Sequence, residues 1–462
     1  MKSRRNMVLA ISFAIGAMLA ARCAVPPSIT AINAEQLDDR TARITYKLVN
    51  GPAVVTMEAL TNGQNGAWGT LSGTEMTSLA GDVNRLVSGG TDDTVREIRW
   101  QPGTAFSQSK ISYESIRFSL KAWATNDPPP YMVVSLAKVA EPRTMYYAST
   151  NDMPGGLLSN RRYRTDAIVM RKIPAKGVTW WMGSTNETTW VENVNREVRH
   201  KVTLADNYYI GVFPVTQRQW ANVMLTQVSD AATYHAWHSG GGYGDMRAME
   251  WLSFYELRED SVKSYANGQW AGAKNTDYQY PNPPNPNSFL GKLRNRTGID
   301  FDLPSEAQWE YACRAGHGTG YWGDGSVLNA NNPANLARIA CFKRASGTDA
   351  EDADPAVGGT PIVGSCAPND FGVYDMNGCV WEYCLDWIAV DITSLSDGRP
   401  NANGEYLVTD PSTKGSNHIR RGGCYYSDFG TCRPSFRHNA AAAVSSREKG
   451  MGVRVACPAV VK

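Results

Sequence analysis

The sequence predicts an α+β chain in two parts: an antiparallel β-sandwich, then a domain poor in regular secondary structure. Three observations carry this. Period-two runs separated by turn dipeptides fill residues 26–140. Clear helix starts are confined to two short stretches, both beyond residue 200. All six histidines and every cysteine but one lie beyond residue 168, so the residues that carry chemistry keep to the second part. The 462 residues allow two or three domains, each able to bury a core. The chain has 46 basic and 44 acidic side chains and a net charge of +2, which excludes a basic nucleic-acid arm or an acidic tail as its theme. With 42% hydrophobic and 19% charged residues it is globular rather than disordered.

The first 24 residues read as a signal peptide. Lys2, Arg4 and Arg5 are followed by an uncharged, largely apolar run from Met7 to Ala21. That run is too short to span a bilayer as a helix but fits a signal core. Leu19-Ala20-Ala21-Arg22-Cys23 is nearly a lipobox, although Arg22 fits it poorly; lipid anchoring through Cys23 is the lesser alternative to removal. No other stretch approaches 18 apolar residues, so an exported chain (periplasmic, secreted or cell-surface) with no transmembrane span in its mature part is expected. Nine cysteines then become eight. In an oxidising compartment, disulfides are the default reading of those eight.

Residues 26–140 supply the sandwich. Ala42–Val49, Ala53–Glu58 and Ile116–Trp123 alternate in polarity, and Asn50-Gly51, Asn62-Gly63, Asn65-Gly66 and Gly89-Gly90 punctuate them. The segment has neither Cys nor His and no acid–base constellation, so a spacer or binding role is expected. In shape it resembles fibronectin-type-III-like domains. Residues 141–168 read as a linker, and a second domain occupies 169–459. Thr216 and Ser305 are expected N-caps of helices over Thr216–Met224 and Ser305–Arg314.

Four stretches of the second domain occur together and in order. The first is His200–Leu204 followed by Tyr208–Gln217. The second is Leu303–Gly316, with the core Pro304-Ser305-Glu306-Ala307-Gln308-Trp309-Glu310. The third is Asn369–Cys384, with Asp375-Met376-Asn377-Gly378-Cys379-Val380-Trp381-Glu382. The fourth is Arg421-Gly422-Gly423-Cys424-Tyr425 running on to Gly452-Val453-Arg454-Val455. This set resembles the formylglycine-generating enzyme family, also called sulfatase-modifying factor. The resemblance implies a C-type-lectin-like fold. It also implies two sites.

The family's oxidases convert a cysteine of a client sulfatase to formylglycine with oxygen, holding copper(I) between two cysteines downstream of an Arg-Gly-Gly-Ser motif. Two soft thiolates suit copper(I). Carried over, those positions fall on Ser427 and Cys432, and the motif serine falls on Cys424. One ligand is kept and one is lost. The extended chain after Gly423 is expected to hold Cys424 away from the vacated position. The family's calcium oxygens fall on Asp375, the carbonyls of Gly378 and Val380, and Glu382; carboxylates flanking a Gly turn are sound calcium chemistry.

The cysteines are read by the same resemblance. The family has Asn where Cys379 stands and Ser where Cys424 stands, which suggests a Cys379–Cys424 disulfide. Cys384 with Cys432 is a second pair. Cys313 with Cys457 follows a helix-to-strand link of the family, and Cys341 with Cys366 remains. Besides a structural surface protein whose two domains only mediate assembly, two readings stay open. One is a calcium-stabilised, disulfide-rich binding module with a degenerate copper site, its ligand face formed by Trp381, Tyr383, Tyr425 and Tyr426 and its partner an exported protein or glycan. The other is a working oxidase for an exported sulfatase, with Cys432 completed by Cys424 or an external thiol.

Overall fold

The computed structural model describes residues 25–37, 41–62, 66–76, 78–102, 116–137, 143–184, 197, 199–225, 244–259, 265–266, 269–270, 276–278, 280–327, 336–342, 360–387, 405–407, 418–438 and 447–462. The expected signal peptide, with Cys23, lies outside the described residues.

The first part is built from two antiparallel sheets. Ser28–Gln36, Ala42–Val49, Val95–Trp100 and Leu79–Gly81 form one, in that order. In the other, Ala53–Asn62 pairs with Ile116–Ala124 on one side and with Trp68–Thr70 and Arg85–Val87 on the other. The alternation read from the sequence is what makes the strands: along Ala42–Val49, Ala42, Ile44, Tyr46 and Leu48 point into the core while their neighbours stay half-exposed. Ile44, Tyr46, Val55, Ile98 and Trp100 fill the space between the sheets.

The boundary expected at residue 140 is not where the sheets divide. Tyr131–Ser135 was assigned to the sandwich by its pattern, yet it pairs with Ala167–Ile173, Val133 facing Val169. Thr144–Tyr147, expected in a linker, pairs with Tyr131–Ser135 on the other side. The sheet continues through Tyr208–Gly211 to Ala456–Pro458. Residues 131–135 are nearly all buried, as a strand covered on both faces must be, and period two cannot say which sheet such a strand joins. Between these strands, Thr150–Asp152 and Arg161–Arg164 form capped 3₁₀ turns rather than a loose linker.

The rest of the second part is mostly short strands with few helices. Helix α1 (Gln217–Met224) starts at the expected Thr216, whose hydroxyl accepts from the Gln219 amide while Gln219 reaches back to Thr216. Helix α2 (Phe289–Thr297) was not foreseen; Ser288 caps it directly after a proline-rich loop. Helix α3 (Glu306–Arg314) carries the same reciprocal box, Ser305 with Gln308. It packs on the strand Trp381–Trp387, which pairs with His418–Arg421 antiparallel and with Met451–Gly452 in parallel. These elements hold the motif residues.

Candidate functional site

The Gly pair of the fourth motif turns the chain onto the sulfur of Cys432. Gly423 has φ +74, and a Cβ there would stand 2.6 Å from the Cys432 thiol, so only glycine fits. The chain then runs through turns, not a strand, to a 3₁₀ turn at Phe429–Cys432. This corrects the expected separation. The turn brings the Cys424 sulfur to 3.0 Å from the Ser427 hydroxyl, beside the position the family gives to its first cysteine. The Ser427 hydroxyl also accepts from the Cys424 amide at 3.1 Å.

Both thiols are sealed in. Cys424 and Cys432 have no exposed surface. Burial pushes the Cys424 thiol up to about 11 against the opposing hydrogen bond from Ser427. Burial raises Cys432 well above the ordinary thiol range as well. Burial disfavours the thiolate, the form a soft metal takes, at both positions. With Ser427 in place of the first cysteine, the residues present do not fit a copper(I) site.

Behind Cys424 stands a carboxyl group that no motif announced. Glu250 is fully buried, and one of its oxygens accepts the Gly450 amide at 2.7 Å. Gly450 is itself pressed on Cys424: a Cβ there would lie 3.0 Å from the sulfur. Burial lifts the Glu250 carboxyl to about 7, opposed by the Gly450 amide, Lys449 and the Tyr425 hydroxyl. The ammonium of Lys449 lies 4.8 Å from the Tyr426 ring centre and 5.6 Å from that of Tyr425.

The expected calcium residues have other work. Glu382 is buried and paired: Arg454 reaches it at 2.8–3.0 Å and the Trp309 indole N–H donates at 2.6 Å. Binding a cation there would strand a buried guanidinium. Asp375, in the left-handed region at φ +59, accepts the Gly364 amide at 2.6 Å, and burial raises it to about 6. Gly378 and Val380 are buried in the strand and core between them. Among the described residues there is no group of three or more His, Cys, Asp or Glu side chains able to hold a metal ion. The expected set does not fit calcium.

The expected ligand face is core. Trp381, Tyr383 and Tyr425 are 6%, 3% and 3% exposed and pack in one cluster with Phe254 and Met451; Tyr426 alone is half-buried. Aromatic content near a motif could not distinguish a groove from a core. Cys313, Cys379, Cys384, Cys424, Cys432 and Cys457 are free thiols. The Cys379 carbonyl accepts from the amide of Tyr425, the residue after Cys424, yet the Cys379 and Cys424 side chains enter different clusters. Cys384 packs with Trp309 and Met376, whereas Cys432 packs with Leu336 and Phe342. Cys313 accepts a hydrogen bond from Asn377 inside the domain, while Cys457 sits on the edge strand near Asp300. Cys341 and Cys366 are both half-buried.

Glu250 and Arg454 went unassigned in the sequence reading. Arg454 stood inside a quoted motif, but nothing in the sequence joined it to Glu382, 72 residues away. Glu250 had none: it follows Met249 in a run without periodicity.

The comparisons with known proteins follow this geometry. A model of the sulfatase-modifying factor enzyme 1-like domain matches residues 169–459. A protein named chaperone protein LppX from Paenibacillus barcinonensis is 29% identical over 217 residues, covering 45% of this chain and 71% of that protein. A formylglycine-generating enzyme of Thermomonospora curvata is 31% identical over 121 residues, covering 25% of this chain but only 38% of the enzyme. Among solved structures, Treponema denticola variable protein 1 is similar at 23% identity and a TM-score of 0.41, over 63% of this chain and 95% of that one.

Proposed function

We infer that this chain, which belongs to the sulfatase-modifying factor enzyme 1-like family by its match over residues 169–459, is a non-catalytic binding protein on the family scaffold. One observation carries the reading. Ser427 stands where the resemblance places the first family cysteine, and the two sulfurs that remain nearby, Cys424 and Cys432, have no exposed surface. An oxidase must present its sulfur chemistry to a client cysteine, and this arrangement presents none. A C-type-lectin-like architecture accords with the few helices and short strands, and export accords with the basic-then-apolar start of the sequence.

The oxidase is the second reading, favoured by the 3.0 Å approach of Cys424 to Ser427, which puts a replacement sulfur beside the lost one. A single experiment separates the two. The full chain is incubated with copper, oxygen and a Cys-x-Pro-x-Arg peptide, and the peptide is read by mass spectrometry. The binding-protein reading expects unchanged peptide with both the wild type and Cys424→Ser. Conversion to formylglycine by the wild type, lost in Cys424→Ser, would establish the oxidase instead.

A further inference from the structure

With the expected aromatic face sunk in the core, the described surface offers a different recess, at the junction of the two parts. It is a cleft of about 190 Å³. Its floor is the five-stranded sheet: Tyr146 and Met132 face each other across two strands, and Cys457 comes from the edge strand. One wall is Leu86 of the first sandwich; another is the C-terminal turn of α2, through Ile299. The tail Val460–Lys462 borders the cleft, tied down where the Val461 amide donates to the Thr125 carbonyl at 2.8 Å.

The lining has a definite chemistry. Leu86, Met132, Ile299 and Val461 give it apolar walls, and polar groups make up nearly as much of its lining. Its acid and its base, Asp300 and Lys462, pair with each other, so no charge is left for a ligand to neutralise. Thr144 and Tyr146, two apart on one strand, turn to the same side. The Tyr146 hydroxyl, the Thr144 hydroxyl and the Cys457 thiol have no hydrogen-bond partner among the described residues. Tyr146 and Cys457 are each only 5% exposed. Apolar walls with a few converging unsatisfied polar groups are the make-up of a small-molecule site.

We propose that this junction cleft binds a small neutral amphipathic molecule, a single-ring body carrying one hydroxyl or amide. A void of about 150 Å³ accepts benzene, so this volume accepts a ring with one polar substituent. The apolar walls take the body; Tyr146 and Thr144 take the polar group. Because Leu86 belongs to the first sandwich and the floor to the second domain, the ligand also clamps one to the other, which gives the N-terminal part a function. The proposal is independent of the fate of Cys424 and Cys432.

Benzyl alcohol is the probe, titrated into the full chain and followed by saturation-transfer NMR, and saturable binding is expected. Tyr146→Phe keeps the packing and should weaken binding about fivefold, the worth of one neutral hydrogen bond. Leu86→Trp fills the cleft from the other part and should abolish binding. Non-saturable uptake, or saturable binding unchanged in both variants, overturns the proposal.

Discussion

Glu250→Gln should make the protein more stable in neutral solution. Folding buries the Glu250 carboxyl and lifts it from an ordinary 4.5 to about 7. Between those values the unfolded chain releases the proton while the folded chain keeps it, so stability falls as pH rises. Over that interval, at about 1.4 kcal/mol per pH unit, the loss comes to about 3 kcal/mol, complete above pH 7. Glutamine cannot ionise and escapes the loss. Its carbonyl can still accept the Gly450 amide, and its NH₂ can donate to the Tyr425 hydroxyl that faces the carboxyl. Asp375 and Asp152, also raised to about 6 by burial, affect wild type and variant alike and cancel in the difference. The assay is urea unfolding by tryptophan fluorescence at half-unit steps from pH 4 to 8.5. The variant should match the wild type near pH 4 and lead by about 3 kcal/mol above pH 7. A gap that stays flat across the range would refute the placement of this carboxyl.

Three other outcomes follow. Glu306 has the opposite sign: burial works against its charge, but Arg421 and Arg437 win and hold it at about 2. Its contribution is therefore present above pH 4.5 and lost as pH falls toward 2, and Glu306→Ala should cost about 3–5 kcal/mol at pH 7 in chemical denaturation, because it leaves those guanidinium groups buried without it. Chelator should leave the melting temperature unchanged, since Arg454 rather than calcium balances Glu382; a fall would restore the metal reading. Denatured without reductant, the chain should titrate Cys313, Cys379, Cys384, Cys424, Cys432 and Cys457 as free thiols, and peptide mapping that found Cys379 joined to Cys424 would contradict the packing.

What was legible in the sequence was local. The alternation at Ala42–Val49 and the boxes Thr216–Gln219 and Ser305–Gln308 follow from neighbours one to four residues apart, and each stands where it was expected. What was not legible depended on direction in space. Tyr131–Ser135 has a strand's pattern whichever sheet it joins. The Cys379 carbonyl accepts from the residue after Cys424, but a disulfide needs the two Cβ vectors to converge, and spacing carries no information about that. Glu382 looked like a calcium ligand because the sequence could not show Arg454, 72 residues on, already reaching it. The same limit explains the site itself. Counted along an extended chain, Cys424 should point away from position 427; only the turn after Gly423 folds it back to the Ser427 hydroxyl. Cys424 and Ser427 are therefore coupled by the turn, which sets a buried sulfur against the Ser427 hydroxyl. Ser427→Cys alone tests that coupling. It should add a half-exposed thiol that alkylates before Cys424 and Cys432, and equal protection of all three would mean that burial of the turn, not the identity of residue 427, closes the site.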